Sequence, residues 1–261
     1  MTEHNSGSHL LGMQTTATPC QNGWIINGAK RFIGNSHIAT VHGVIARTSS
    51  ANNRNSLTAF AIPAESPGVV LGEEHGLSGL QGFSLGEIKF HNCFVPDSHR
   101  IGQVGEGLRL AHQVVAHHGK PNISALAIGL HARILDRLLE YTAGRKLYGN
   151  PIATLPAIER VITEIYSKLY TSRVLMHDAA SNLDRGINNE LGIGIAKLTA
   201  SDNAINAALQ ATRAMGAIGN HPELGIVQSL MDALMTSAPS GTEEVIMKRI
   251  FEHINRVEAR V

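Results

Sequence analysis

Gly102-Gln103-Val104-Gly105-Glu106-Gly107 divides the chain into two textures. Before it, short apolar runs alternate with turn residues. Trp24-Ile25-Ile26 reads as a strand that ends at Asn27-Gly28, a hairpin-type pair. Val41 to Arg47 and Leu57 to Ile62 are further strands, the second stopped by Pro63. Ser66-Pro67-Gly68 is a turn ahead of Val69-Val70-Leu71. Glu87-Ile88-Lys89-Phe90 alternates charged and apolar, as a half-buried strand does. The glycine cluster itself is no dinucleotide fingerprint: the spacing is wrong and no strand is expected to lead into it.

After Gly107 the apolar period becomes helical. Residues from about 106 to 143 form one long helix with a break near Gly119-Lys120-Pro121, and Tyr141 to Asn150 interrupts the pattern. Ile158, Ile162, Ile165 and Leu169 mark a second helix. Ile187, Leu191, Ile195, Leu198, Ile205 and Leu209 fall on one face of a third. Shorter helices follow at Gly225 to Met235 and at about 242 to 258. Long amphipathic helices joined by short loops predict an antiparallel bundle. The expected fold is therefore α+β: an antiparallel, β-barrel-like domain over residues 1–104, then a helical bundle over 105–261.

Composition narrows the function. A net charge of +1 over 261 residues gives no electrostatic case for nucleic acid or an anionic membrane surface. No apolar run reaches the roughly 20 residues that span a bilayer. No signal peptide is visible at Met1-Thr2-Glu3-His4-Asn5. Cys20 and Cys93 form neither a disulfide framework nor a metal-ligand spacing, and none of the 14 histidines falls into a zinc-site pattern. A cytoplasmic protein without a bound metal is the expectation.

Five segments carry a resemblance. The first is Met1-Thr2-Glu3-His4-Asn5-Ser6-Gly7-Ser8-His9. The second is Asn27-Gly28-Ala29-Lys30-Arg31-Phe32-Ile33-Gly34-Asn35. The third runs from Phe90 to Gly107 and contains Val95-Pro96. The fourth is Tyr141-x-x-x-Arg145-Lys146-Leu147-Tyr148-Gly149-x-Pro151-Ile152. The fifth is Met215-Gly216-Ala217-Ile218-Gly219, followed by Ser240-Gly241-Thr242-Glu243-Glu244. In this order they resemble the middle and C-terminal domains of acyl-CoA dehydrogenases. The helical domain that opens such proteins has no counterpart here, so a fragment, a split-gene subunit and a short complete protein are all compatible with the sequence.

The resemblance implies FAD as cofactor, an acyl-CoA or acyl-carrier-protein thioester as substrate, and a dimer or tetramer, homo- or hetero-oligomeric. It implies that Thr2, Gly7 and Ser8 line the flavin ring and that Phe32 covers its face. It implies that Arg145, flanked by Tyr148, reaches the FAD pyrophosphate across a subunit interface. Gly216 and Gly219 would border the adenosine, although Ala217 and Arg213 depart from the family pattern. Thr242 and Glu244 would meet the cofactor at a helix start. Each position also has a plain structural reading: a polar loop, a strand Phe, a helix-ending Gly, an N-cap Thr with acidic residues at the positive end of the dipole.

Gly34 stands where relatives keep a Thr or Ser whose hydroxyl bonds flavin N5. Ser240 stands where they keep the catalytic Glu. Counting back from Gly149, the alternative Glu position falls on Gly119. A serine hydroxyl without its own base does not abstract an α-proton. His118, with His117 beside it, is a weak substitute base. Three readings follow: a dehydrogenase subunit whose partner chain supplies the missing parts, a thioester-binding or structural homologue without a base, and a flavin monooxygenase of the same fold.

Overall fold

The computed structural model describes residues 1–51 and 53–258, with side chains through Arg256. Its contacts divide into two units. One holds Met1–Leu77 and Gln81–Val114; the other holds Ser78–Leu80 and the chain from Val115 onward.

In the first unit, β1 (Thr16–Cys20), β2 (Gly23–Gly34), β3 (Val41–Arg47), β4 (Leu57–Pro63), β5 (Val69–Glu74), β6 (Leu85–Pro96) and β7 (Arg100–Ile101) form one sheet, ordered β5-β6-β2-β1-β3-β4-β7. Every pairing is antiparallel except β1 with β3. The sheet is open, with β5 and β7 as its edges, so it does not close into a barrel. Ile26, Phe60, Ile62, Ile88 and Phe90 form the core on one face, and Trp24 meets Phe60 edge-on at 5.7 Å between ring centroids. Strand β4 is buried along most of its length because its second face is covered too. There Leu57 and Ala59 pack with Met13, Ile45 and Ala111 of α1 (Gly107–Val114).

Two sequence expectations fail here. Asn27-Gly28 is not a turn: β2 runs through it, and the register with β6 shifts between Ile26 and Gly28. Gly28, at φ +141°, is required by close approach, since a Cβ there would lie 2.7 Å from Thr15 Cα. The hairpin turn is Gln21-Asn22, where Asn22 takes φ +61°. The glycine cluster at 102–107 does follow a strand, the two-residue β7.

The second unit opens with a π-helical turn, Val115–Gly119, followed by α2 (Lys120–Gly144). The expected break is this turn. Pro121 has no N–H for the His117 carbonyl and its ring would crowd that carbonyl in a regular α-helix, so the backbone widens one turn earlier. A ribbon of β8 (Lys146–Leu147) and β9 (Asn150–Pro151) leads to α3 (Pro156–Asp184), which begins with Pro at its first position. Then come α4 (Glu190–Met215), α5 (Ile226–Leu234) and α6 (Glu243–Glu258). The core joins Ile134 and Leu138 of α2, Ile165 and Leu169 of α3, Ala207, Ala208, Ala211 and Met215 of α4, and Ile226 of α5. The Ser78–Leu80 segment docks on α5: Leu80 N–H donates to Asp232 Oδ1 at 2.7 Å, and Gln228 Nε2 to the Ser78 carbonyl at 3.1 Å.

The face expected to be buried on α4 is not the buried one. Ile195, Leu198 and Ile205 are half-buried and Leu209 is exposed, whereas Ile193, Ala196, Ala200, Ala204, Ala207, Ala208 and Ala211 are buried. Small residues let α4 approach α2 and α3 closely, so alanine marks the core side. The helix also begins after Ile187: Asn189 caps it, its Oδ1 accepting from Gly192 N–H at 3.0 Å. No helix among the described residues is long and apolar enough to cross a membrane.

Candidate active site

In the first unit the opening loop is fixed by a buried carboxylate. Glu3 accepts from Gln14 N–H at 2.5 Å, Thr15 N–H at 3.1 Å and Lys30 Nζ at 2.6 Å. Burial opposes ionisation of Glu3, but these donors outweigh it and hold the carboxyl below its usual range. Burial also lowers Lys30 despite the pull of Glu3. The anchored loop returns to β2, where Arg31 N–H donates to the Thr2 carbonyl at 2.9 Å. Thr2 lies beside Gly7, and Ser8 is exposed. Among the described residues neither the Thr2 nor the Ser8 hydroxyl has a hydrogen-bond partner.

Phe32 sits just beyond, at a second register shift of β2 between Lys30 and Ile33. Its φ is +55° and its side chain is 52% exposed. A left-handed aromatic residue costs about 1–2 kcal/mol, and the turn it makes presents the ring outward from the sheet. The Arg31 guanidinium lies over this ring at 4.9 Å, the His75 ring is 5.1 Å away, and Arg31 Nη1 donates to His4 Nδ1 at 3.0 Å. Arg31 Nε and Glu87 Oε1 form an ion pair at 3.2 Å without hydrogen-bond geometry. His75 Nε2 is buried with no partner among the described residues. Next along β2, the space above Gly34 holds the ring of Phe83.

In the second unit, Arg145 caps α2, its N–H donating to the Tyr141 carbonyl at 2.9 Å. Its side chain is exposed and, among the described residues, has neither a hydrogen-bond nor an ion-pair partner. Tyr148 is 90% exposed at φ +52° in the turn of the β8–β9 ribbon. This segment offers an exposed planar cation and, three residues on, an exposed phenol; a guanidinium of this kind suits a phosphate or other oxyanion.

Gly216 ends α4 at φ +69°, and its N–H donates to the Arg213 carbonyl. Gly219 presses on that helix, a Cβ there lying 2.5 Å from the Thr212 carbonyl oxygen. Both glycines thus have structural duties.

Ser240 and Gly241 are left-handed in succession, at φ +61° and +105°, in the loop between α5 and α6. Thr242 caps α6, its carbonyl accepting from Ile246 N–H at 3.1 Å. The Glu244 carboxyl is held below its usual range by its own N–H and by the Thr242 side chain. Thr242 and Glu244 therefore close the helix start between themselves. Gly119 is half-buried in the π-helical turn, and His117 and His118 are exposed. No hydrogen bond or ion pair links Arg145 to Thr242 among the described residues.

The sequence reading missed Phe83, His75 and Lys197. Lys197 carried a signal: it is a charged residue in the small-residue stripe of α4. Two surface grooves, one of about 460 Å³ along Pro156–Lys168 and one of about 680 Å³ between Asn188–Leu191 and α6, contain none of the candidate residues.

Residues 1–93 match the model of the acyl-CoA dehydrogenase middle domain, and residues 105–255 that of the acyl-CoA dehydrogenase C-terminal domain. The chain is 33% identical over 244 residues to L-prolyl-[peptidyl-carrier protein] dehydrogenase of Serratia sp. (strain ATCC 39006), covering 94% of this chain and 63% of that relative. It is 30% identical over 245 residues to an acyl-CoA dehydrogenase of Bacillus subtilis (strain 168), covering 94% and 64%. Among solved structures, the FAD complex of PigA superposes with a TM-score of 0.92 at 32% identity, covering 97% of this chain and 66% of that one. Butyryl-CoA dehydrogenase from Megasphaera elsdenii does so at 0.92 and 27% identity, covering 95% and 64%. The chain thus spans somewhat less than two thirds of the curated relatives it matches.

Proposed function

The chain belongs to the acyl-CoA dehydrogenase family, and from that premise we propose that it is the FAD- and thioester-handling part of a dehydrogenase-type flavoprotein, completed by a partner chain. The observation that carries the proposal is the Arg145 corner: an exposed guanidinium with no hydrogen-bond or ion-pair partner among the described residues, three positions before an exposed Tyr148. A diphosphate is one of the oxyanions such a fork fits.

The donor set fits FAD elsewhere as well. Thr2 and Ser8 offer uncommitted hydroxyls, and the outward Phe32 ring, turned out at a strained residue, offers an aromatic face to a planar heterocycle. One contact does not fit: at Gly34 there is no hydroxyl, and Phe83 fills the space. When bound, FAD supplies the two-electron acceptor for α,β-desaturation of an acyl thioester.

Of this chain's own residues, Glu3 and Lys30 hold the hydroxyl-bearing loop on β2, Phe32 excludes water from one face, and Arg145 neutralises phosphate charge. Neither Ser240 nor Gly119 accepts an α-proton, and among the described residues no hydrogen bond or ion pair orients the exposed His118. The partner chain therefore supplies the carboxylate in this reading. The substrate class is an acyl thioester on CoA or on a carrier protein; similarity to a prolyl-carrier dehydrogenase supports the carrier form.

Co-expression with a family member encoded beside it tests the proposal. A yellow complex that reduces an artificial electron acceptor with an acyl thioester is expected. A well-formed, flavin-loaded complex that turns over no acyl thioester overturns it. The absent carboxylates favour a second reading, a thioester-binding homologue that performs no desaturation, and that same inactive complex would support it.

A further inference from the structure

We propose that Lys197 is a positioning residue for the candidate site: its buried ammonium clamps the Ser237–Gly241 loop and so fixes where Ser240, Thr242 and the first turn of α6 stand. Its consequence for cofactor binding rests on the function proposed above; the clamp itself does not.

Lys197 lies on α4 and is 1% exposed. Its Nζ donates to the Ser237 carbonyl at 2.5 Å and to the Gly241 carbonyl at 3.0 Å. These two acceptors bracket the loop, so one cation ties its entrance to its exit. The residues between are the ones that need restraint. Ser240 is left-handed without being glycine, and Gly241 follows it at φ +105°. Such a conformation persists only where the surroundings over-determine it. The entrance is held independently, with Thr236 Oγ1 donating to the Ala233 carbonyl at 2.7 Å and Ser201 Oγ to the Thr236 carbonyl at 3.2 Å. The exit is held by Ile246, which packs 3.3 Å from where a Gly194 Cβ would stand.

Volume does not account for a lysine at this place. Methionine fills similar space without the cost of burying a charge. The charge is retained against its surroundings: burial comes first in lowering its pKa to about 8, Lys120 of α2 adds to this, and Glu243 of α6 and Asp202 of α4 oppose it. What methionine lacks is the pair of charge-assisted hydrogen bonds to the two carbonyls. Lys197 therefore serves the shape of the loop, and the core tolerates it.

The test is amide hydrogen exchange, with flavin binding, on the whole chain carrying Lys197→Met, and on Lys197→Gln, which keeps a donor but lacks the reach. Exchange at the amides of Ser237, Ala238 and Ser240–Glu244 is expected to rise at least tenfold. The amides of Ile134 and Leu138 stay as in the wild type, and the thermal midpoint does not fall in proportion. FAD, added as the probe, binds about tenfold more weakly with a shifted absorption band. Unchanged loop exchange, or a rise spread evenly over the bundle, overturns the clamp. A loosened loop with unchanged flavin affinity and band overturns its role at the site. A wild-type chain that takes up no FAD, alone or with its partner, overturns the flavin reading, while the exchange data still decide the clamp. If Lys197→Met does not fold, Lys197→Gln is read by the same criteria.

Discussion

The ring of Phe83 stands over Gly34, so that a Cβ built on Gly34 would lie 2.6 Å from Phe83 Cζ. Position 34 is where the family resemblance implies a hydroxyl, and here an aromatic ring occupies the space instead. Residues 34 and 83 therefore share one space. Gly34→Thr alone is expected to destabilise the chain by about 1 kcal/mol, the low end of overpacking costs, because Phe83 is 41% exposed and its ring tip can swing away. Combining it with Phe83→Ala should recover most of that loss. A double-mutant cycle by denaturant unfolding measures the coupling, expected at about 0.5 kcal/mol or more. Strict additivity would mean that the ring does not respond to residue 34.

Arg145→Ala should leave the unfolding midpoint unchanged, since the guanidinium makes no hydrogen bond or ion pair within the described residues. FAD affinity should fall roughly 10- to 100-fold, the loss of hydrogen bonds to a charged group. Arg145→Lys should restore little of it, because a point charge does not reproduce the planar fork. Titration followed by flavin fluorescence checks all three statements.

His131 gives the bundle an acid limit. It is fully buried, its Nε2 donates to the Ile165 carbonyl at 3.0 Å, and its Nδ1 has no partner among the described residues. Burial lowers its pKa from 6.5 to about 4. The folded state thus holds a neutral imidazole that the unfolded chain protonates more readily. Its contribution is full above pH 6.5 and is lost as pH falls towards 4, by roughly 2 kcal/mol at pH 5. Thermal unfolding between pH 7 and 4.5 should show this slope, and His131→Gln should flatten it. Parallel slopes for the two proteins would remove His131 as the cause.

The alanine face of α4 makes a contrast between neighbours. Ala208→Leu inserts volume where nothing is exposed and should cost about 1–3 kcal/mol. Leu209→Ala, one residue on and 37% exposed, should cost under about 1 kcal/mol in the isolated chain. Denaturant midpoints for the two variants should therefore differ in that order, and the reverse order would contradict the observed helix orientation.

Much of the fold was legible from the chain. Val41–Arg47, the Leu57 strand and the Gly225 helix follow from local pattern and punctuation. The Asn27-Gly28 pair misled because the same residues serve a turn and a bulge, and only the approach of Thr15 decides between them. The α4 stripe misled because size was read as burial; where helices pack closely, alanine goes inside and leucine remains at the rim. The individual site residues were legible only through their family pattern. Phe83 lies 49 residues from Gly34 along the sequence, and no periodicity connects the two. The role of Lys197 depends on the α5–α6 loop folding back onto α4, a contact about 40 residues away in sequence that no local pattern encodes.

The central claim, that this chain builds part of a flavin site, is tested most directly by the absorption spectrum of the purified chain after incubation with FAD and gel filtration, alone and with its partner. The account predicts co-elution of bound flavin with the protein peak, lost in Arg145→Ala. A folded protein that elutes colourless under both conditions would contradict it.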